Sequence, residues 1–249
     1  MIINGKEYFL VWEDKFEGAE LSSDWQHEIW PPKRVNKEIQ SYTALEENVS
    51  VSDGSLKITA LRKGFNSWTS GRIITTGKRF YTYGYFECSA KLPEGKGVWP
   101  AFWMMPEKPV YGNWPMSGEI DIMEYSPKTH GSNYFTTLHT GPEENSPKHN
   151  ISTLIEAPIP ENAFTSFHRY GILWTKDALI PYLDGKPVGK TYAASEDKSL
   201  WPFDKPFHLI LNLAMGGTLG GHIPHSLKKA VFEIEAVRVF QEKTDSMST

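Results

Sequence analysis

The sequence predicts an all-β fold, a two-sheet antiparallel β-sandwich, and three observations carry that expectation. Short alternating or β-branched segments, about a dozen of them, recur along the 249 residues. Glycine, proline and aspartate punctuate the connections between them. No stretch of roughly 12 residues keeps the i, i+3, i+4 apolar spacing of a helix, which argues against alternating β/α architecture.

In chain order the expected strands are 10–12, 49–51, 56–60, 73–76, 83–90 and 99–104, then Glu119–Tyr125, 134–139, His168–Trp174, 180–183, 207–213 and 230–240. Asp53-Gly54, Pro93-Glu94-Gly95 and Asp184-Gly185 each lie between extended segments, and most connections read as antiparallel hairpins. No Ser/Gly linker, repeat or low-complexity segment divides the chain, so one domain over 1–249 is expected, with 1–6 and 242–249 as flexible ends.

Composition narrows the partners. Hydrophobic residues make up 39%, aromatic 13% and charged 22%, a globular composition with a heavy aromatic load that excludes disorder. The formal charge is −4 and no long run of like charges occurs, so neither nucleic acid nor an anionic membrane is an expected partner. The apolar run 209–215 falls far short of the ~20 residues that span a bilayer. Cys88 is the single cysteine; it can form no internal disulfide, belongs to no metal-spaced cluster, and reads as a buried thiol. Residues 1–10 lack the basic and apolar regions of a secretory signal. Nothing suggests an obligate oligomer, and a monomer is expected.

Two segments carry chemistry. In Gly97-Val98-Trp99-Pro100-Ala101-Phe102-Trp103 a period of two puts Trp99, Ala101 and Trp103 on one face and Phe102 on the other. Two indoles along one strand serve either as core or as a platform for the flat C–H faces of sugars. In Gly118-Glu119-Ile120-Asp121-Ile122-Met123-Glu124-Tyr125, three acids interrupt an apolar strand. Strict alternation puts Glu119 and Asp121 on one face and Glu124 on the other. A β-bulge near Ile122-Met123 would return Glu124 to its fellows. Glu119 and Glu124 would then stand about 13 Å apart at Cα, and inward-leaning side chains would bring the carboxyl groups into the range used by glycosidases. That arithmetic leaves both the retaining and the inverting separation open. Crowded carboxylates repel, so at least one should keep its proton near neutral pH.

GEIDIMEY, preceded by GVWPAFWMMP and followed by FTTLHTG, resembles glycoside hydrolase family sixteen, the retaining endo-glycanases with a jelly-roll fold and a concave substrate cleft. Within that family the chain looks most like the bacterial laminarinases, endo-β-1,3-glucanases that also accept mixed-linkage glucan. The likeness runs from LVWEDKFEG through NKEIQSYT, VSVSDGSLKITA, SGRIITTGKRFYTYGYFECSAKLPEGKG, FHRYGILWTKDALIPYLDGKPV and FHLILNLAMGG to VRVFQ. The acid triplet alone is shared with agarases, porphyranases and carrageenases of the same family.

The resemblance implies that Glu119 is the nucleophile, Glu124 the acid/base and Asp121 the carboxylate between them, which should stay ionised. It implies a site role for His139, opposite Glu119 or Asp121 if the hairpin turns near Thr129, and sugar contacts for Trp99, Trp103, Trp114, Asn36, Glu38 and Arg72. Glu38 and Arg72 could equally form a structural ion pair. Trp12 and Trp174 are assigned to packing.

Two departures from the family pattern stand out. Gly216-Gly217 is followed by Thr218-Leu219, where many laminarinases carry a tryptophan. Many relatives hold a structural calcium; the matching positions here are Lys15, Gly54 and Glu235, and an ammonium paired with Glu235 would replace the ion. No catalytic cofactor or metal is expected. The expected activity is therefore hydrolysis of β-1,3 or mixed-linkage β-1,3-1,4 glucan. Red-algal galactan hydrolysis, transglycosylation and non-catalytic glucan binding are the alternatives. Because polymeric glucan does not enter a cytoplasm, a secreted or envelope-exposed protein is expected.

Overall fold

A computed structural model describes residues 1–128, 131–144 and 150–243. Two sheets pack face to face. The front sheet runs Ile151–Pro158, Asn133–Thr140, Glu119–Tyr125, Val98–Pro106, Phe207–Met215, Arg72–Ile74 and Gln26–His27, with Phe80–Tyr81 paired to one end of Phe207–Met215. The back sheet runs Lys186–Pro187, Ala178–Leu183, His168–Trp174, Gly84–Lys91, Lys229–Glu242, Ser55–Arg62, Trp68–Ser70 and Gln40–Tyr42. Lys229–Glu242 is long enough to pair with Ser55–Arg62 through its first half and with Lys6–Asp14 through its second.

Alternation builds the core between the layers. Phe102, Met104, Ile120, Leu211 and Leu213 point inward from the front sheet. Phe86, Cys88, Ile172, Trp174, Phe232 and Ile234 meet them from the back. Phe102 is fully buried, and truncating such a ring to alanine costs about 3–5 kcal/mol through lost transfer energy and the cavity left behind. Trp12 and Trp174 lie in this core, and burial pushes the Cys88 thiol pKa well up.

Local sequence explains most turns. Asp53-Gly54, Asp184-Gly185 and Asn4-Gly5 all have positive φ at both residues, the conformation of two-residue hairpins whose twist matches the flanking strands. Residues 1–6, read from the sequence as a loose end, form such a hairpin: Ile2 and Ile3 pair with Glu7 and Lys6. Ile3 and Tyr8 join Tyr85 and Tyr182 in a second apolar cluster. Of the expected C-terminal end, 244–249 lie outside the described residues.

The structure corrects two expectations. Pro93-Glu94-Gly95 closes no hairpin, because Gly84–Lys91 belongs to the back sheet and Val98–Pro106 to the front. The sandwich is also not purely antiparallel: Gln40–Tyr42 pairs in parallel with Trp68–Ser70, the intervening hairpin supplying the crossover that parallel strands need. Ile151–Pro158 was missed because it is an edge strand with most side chains in solvent, where no burial imposes an alternating pattern.

Candidate active site

The catalytic strand Glu119–Tyr125 lies inside the front sheet, between Val98–Pro106 and Asn133–Thr140. Gly118 sets its start at φ 85°, where a Cβ would stand 2.8 Å from Phe203 Cε1, so only glycine fits. Against the neighbouring strand, Asp121 faces Thr137 and Glu124 faces Phe135, leaving one extra residue on the catalytic strand. The expected bulge is therefore present at Ile122-Met123. Both of these side chains are buried in the core, while Glu119, Asp121 and Glu124 line one cleft. Thr136 Oγ1 donates to the Ile122 carbonyl at 2.8 Å, satisfying a polar group at the point where the ladder is interrupted.

Each acid has its own surroundings. Trp114 Nε1 donates a short hydrogen bond to Glu119 Oε2. Trp99 Nε1 donates to Glu124 Oε1 at 2.8 Å. His139 stands opposite Glu119 in the ladder, and its Nε2 lies 3.1 Å from Asp121 Oδ2. Its Nδ1 is 3.2 Å from Asn150 Oδ1. The expected turn at Thr129 lies outside the described residues.

Burial raises the pKa of all three acids. For Glu124, burial and then the Asp121 charge outweigh the Trp99 hydrogen bond, and its pKa is pushed up to about 8. For Asp121, burial and the Glu119 charge outweigh the opposing pull of His139. Its carboxyl therefore holds a proton more tightly than an ordinary aspartate. Burial works against a charged His139, but Asp121, Glu119 and Glu124 overcome it and raise its pKa to about 10. One imidazolium thus balances the acid cluster. Glu119, Asp121 and His139 offer ligand atoms within 4.8 Å of one another, so these three would be the residues to hold a metal, and the imidazolium already supplies positive charge there.

Across the sheet the cleft changes character. Arg72, on the strand that borders Phe207–Met215, pairs with Glu28. This corrects the Arg72–Glu38 pair considered from the sequence. The Arg72 guanidinium lies 4.1 Å from the centre of the Trp30 ring and 4.7 Å from that of Trp103. Glu38 instead accepts from Gln40 Nε2 at 2.8 Å, Tyr42 OH at 3.2 Å and Asn36 Nδ2 at 3.3 Å. A donor chain joins it to the indole: Trp103 Nε1 donates to Asn212 Oδ1 at 2.6 Å, Asn212 Nδ2 to Tyr42 OH at 3.0 Å, and Tyr42 to Glu38.

All ten candidate residues, namely Glu119, Asp121, Glu124, Trp99, Trp103, Trp114, His139, Asn36, Glu38 and Arg72, line this cavity of about 550 Å³. Trp99 and Trp103 do face the cleft while Phe102 faces the core, as alternation requires. Sequence reasoning missed Glu28, Trp30, Tyr42, Asn150 and Asn212. Asn212 carried a legible signal, an amide inside the apolar run 209–215.

The model of the family described as glycosyl hydrolases family 16 matches residues 36–229. The chain belongs to that family. It is similar to a β-glucanase of Rhodothermus marinus, 37% identical over 93% of this chain and 85% of the relative. A glucan endo-1,3-β-glucosidase of Cryptopygus antarcticus is 36% identical over 93% of this chain and 91% of its own. Among solved family 16 structures, the laminarinase from Rhodothermus marinus matches with a TM-score of 0.86 and 34% identity, covering 96% of this chain and 99% of that one. The protein is a glycoside hydrolase of jelly-roll architecture.

The residues at the positions where family relatives hold calcium do not fit that ion. Lys15 brings an ammonium, 3.5 Å from Glu13, and Glu235 accepts from Ser89 Oγ at 2.8 Å. The Lys15–Glu235 pair expected from the sequence is replaced by these two separate contacts.

Proposed function

We propose that the protein is a retaining endo-β-glucanase that cuts β-1,3 or mixed-linkage β-1,3-1,4 glucan by double displacement. The observation that carries this reading is the bulge at Ile122-Met123, which gives Glu119 and Glu124 a common cleft walled by indoles. Glu124, with its raised pKa, is the general acid that protonates the glycosidic oxygen. Glu119, bonded by Trp114, attacks the anomeric carbon and forms a glycosyl-enzyme. Glu124, now ionised, takes a proton from water, which releases the sugar with net retention. Asp121, positioned by His139, shares its proton with Glu119 and stabilises the carboxylate as it leaves.

The choice of β-glucan over galactan is supported by the names of the similar proteins, a β-glucanase, an endo-1,3-β-glucosidase and a laminarinase. Thr218 and Leu219 line the cleft without the tryptophan that many laminarinases carry after the glycine pair, which favours relaxed linkage choice. Among the described residues no helix is long and apolar enough to cross a membrane. Because the substrate is a polymer, the reading carries with it action outside the cytoplasm, as a monomer.

The test is parallel digestion of laminarin, barley mixed-linkage glucan, lichenan and agarose, with products sized by mass spectrometry and their first-formed anomer read by NMR. Release of β-anomeric oligosaccharides from laminarin is the expected result. Release from agarose alone would move the protein to the galactanases, and α-anomeric products would overturn retention. Silence on all four would leave a glucan-binding protein.

A further inference from the structure

The loop 33–37 at the rim of the cleft carries Lys33, Arg34 and Lys37, all exposed. Among the described residues none of the three forms an ion pair or a side-chain hydrogen bond, although the chain as a whole is acidic. Their neighbours Val35 and Asn36 line the cleft, so this charge borders the substrate path.

Arg34 is held in an unusual way. Its guanidinium lies 4.4 Å from the centre of the Trp30 ring, while Arg72 lies 4.1 Å from the same centre. Trp30 thus contacts both guanidiniums, and Arg72 also lies against Trp103. The two arginines differ in one respect. Arg72 has Glu28 as its counter-ion, whereas among the described residues Arg34 has the ring alone. A guanidinium held against a ring with no hydrogen-bond partner among the described residues keeps its N–H fork available for a carboxylate or sulfate.

The loop beneath is pinned. Lys33 N donates to the Glu38 carbonyl at 2.7 Å and Thr218 N to the Asn36 carbonyl at 2.8 Å. Lys33, Asn36 and Lys37 hold positive φ of 62°, 52° and 58°, a strained arrangement that persists because neighbouring backbone fixes it. Gly217 permits the approach, since a Cβ there would meet Asn36 O at 2.7 Å. The cations are thus presented on a preorganised support.

We propose that Arg34, flanked by Lys33 and Lys37, is an anion-binding rim that selects β-glucans carrying carboxylate or sulfate substituents. The inference rests on the β-glucanase reading. Val35 and Asn36 of the same loop line the cleft, so a substituent on a bound glucan can reach these cations.

The experiment measures kcat/KM of the native chain, Arg34→Ala, Arg34→Lys and Lys33→Ala/Lys37→Ala on laminarin and on its carboxymethylated and sulfated derivatives, at low and high ionic strength. The readout is the ratio of anionic to neutral substrate, which does not depend on the fraction of each variant that folds. Arg34→Ala should lower the ratio about fivefold, through KM, and Arg34→Lys should restore part of it. High salt should abolish the native preference. The larger ratio of the two anionic arms names the oxyanion. A ratio that is the same in the native chain and Arg34→Ala overturns the proposal. Absence of laminarin hydrolysis by the native chain would instead strike the β-glucanase reading.

Discussion

Trp99 and Trp114 point indole N–H groups at Glu124 and Glu119, whereas Trp30 and Trp103, the latter paired opposite Asp121 in the ladder, turn ring faces to Arg72. The first two indoles serve a cluster of acids balanced by one imidazolium, and the second two hold guanidiniums balanced by one carboxylate. The same side chain serves both because an indole has a positive edge and a negative face. The edge stabilises carboxylate charge at the reacting bond, while the face fixes cations that shape the substrate path. Disturbing the acid cluster should therefore cost turnover, and disturbing the guanidiniums should cost affinity.

Glu119→Ser tests that division most severely. Turnover of laminarin should fall roughly 10⁴- to 10⁶-fold, while calorimetry still detects oligosaccharide binding. Substantial remaining turnover would remove Glu119 from its role. Glu124→Gln comes next, with a loss of about 10²- to 10⁴-fold on laminarin and a smaller one on aryl glycosides whose leaving group needs no proton.

The pH dependence sharpens the same point. Native kcat/KM should fall as pH rises through about 8, where Glu124 gives up its proton. The folded value lies above the ordinary 4.5, so the folded state binds this proton more tightly than the unfolded chain does. The resulting stabilisation is full below the unfolded value and is lost as pH climbs through 8. Glu124→Gln never carries the charge, so its melting temperature relative to the native chain should rise between pH 6 and pH 9. A flat difference would show that Glu124 is not the buried acid that titrates there.

Among the guanidiniums, Arg72→Lys keeps the charge and loses the planar stack, and should raise KM about tenfold with kcat little altered. A fall in kcat instead would mean that the two groups are coupled. The smallest effect concerns neither group: chelating calcium should leave the melting temperature unchanged, because Lys15 occupies the position where an acid would be needed. A drop of several degrees would refute that.

What could be read from the sequence was local. The acid spacing and the period of two required a bulge, and the bulge lies where the apolar residues Ile122 and Met123 demanded it. His139 was reachable because its hairpin partner is the catalytic strand itself. Glu28 was out of reach, since it meets Arg72 across 44 positions of sequence and only strand order brings them together. Trp30 sits in a polar stretch with no periodicity, so nothing marked its ring as a contact for two guanidiniums. Charge repulsion among the acids was legible from their spacing, but the burial that raises all three was not.

Lys229–Glu242 is the last of the described strands, yet it is interior to the back sheet, bonded to Gly84–Lys91 on one side and to Lys6–Asp14 and Ser55–Arg62 on the other. The strands on its two sides pair among themselves, but it alone among the described strands joins the two groups. Until it pairs, the two groups share no seam, and Phe86 on one side and Ile58 on the other lack Phe232 and Ile234, which complete the same inward face between them. Completion of the sandwich is therefore a late event that joins distant segments, with the slow, all-or-none character that such long-range pairing imposes.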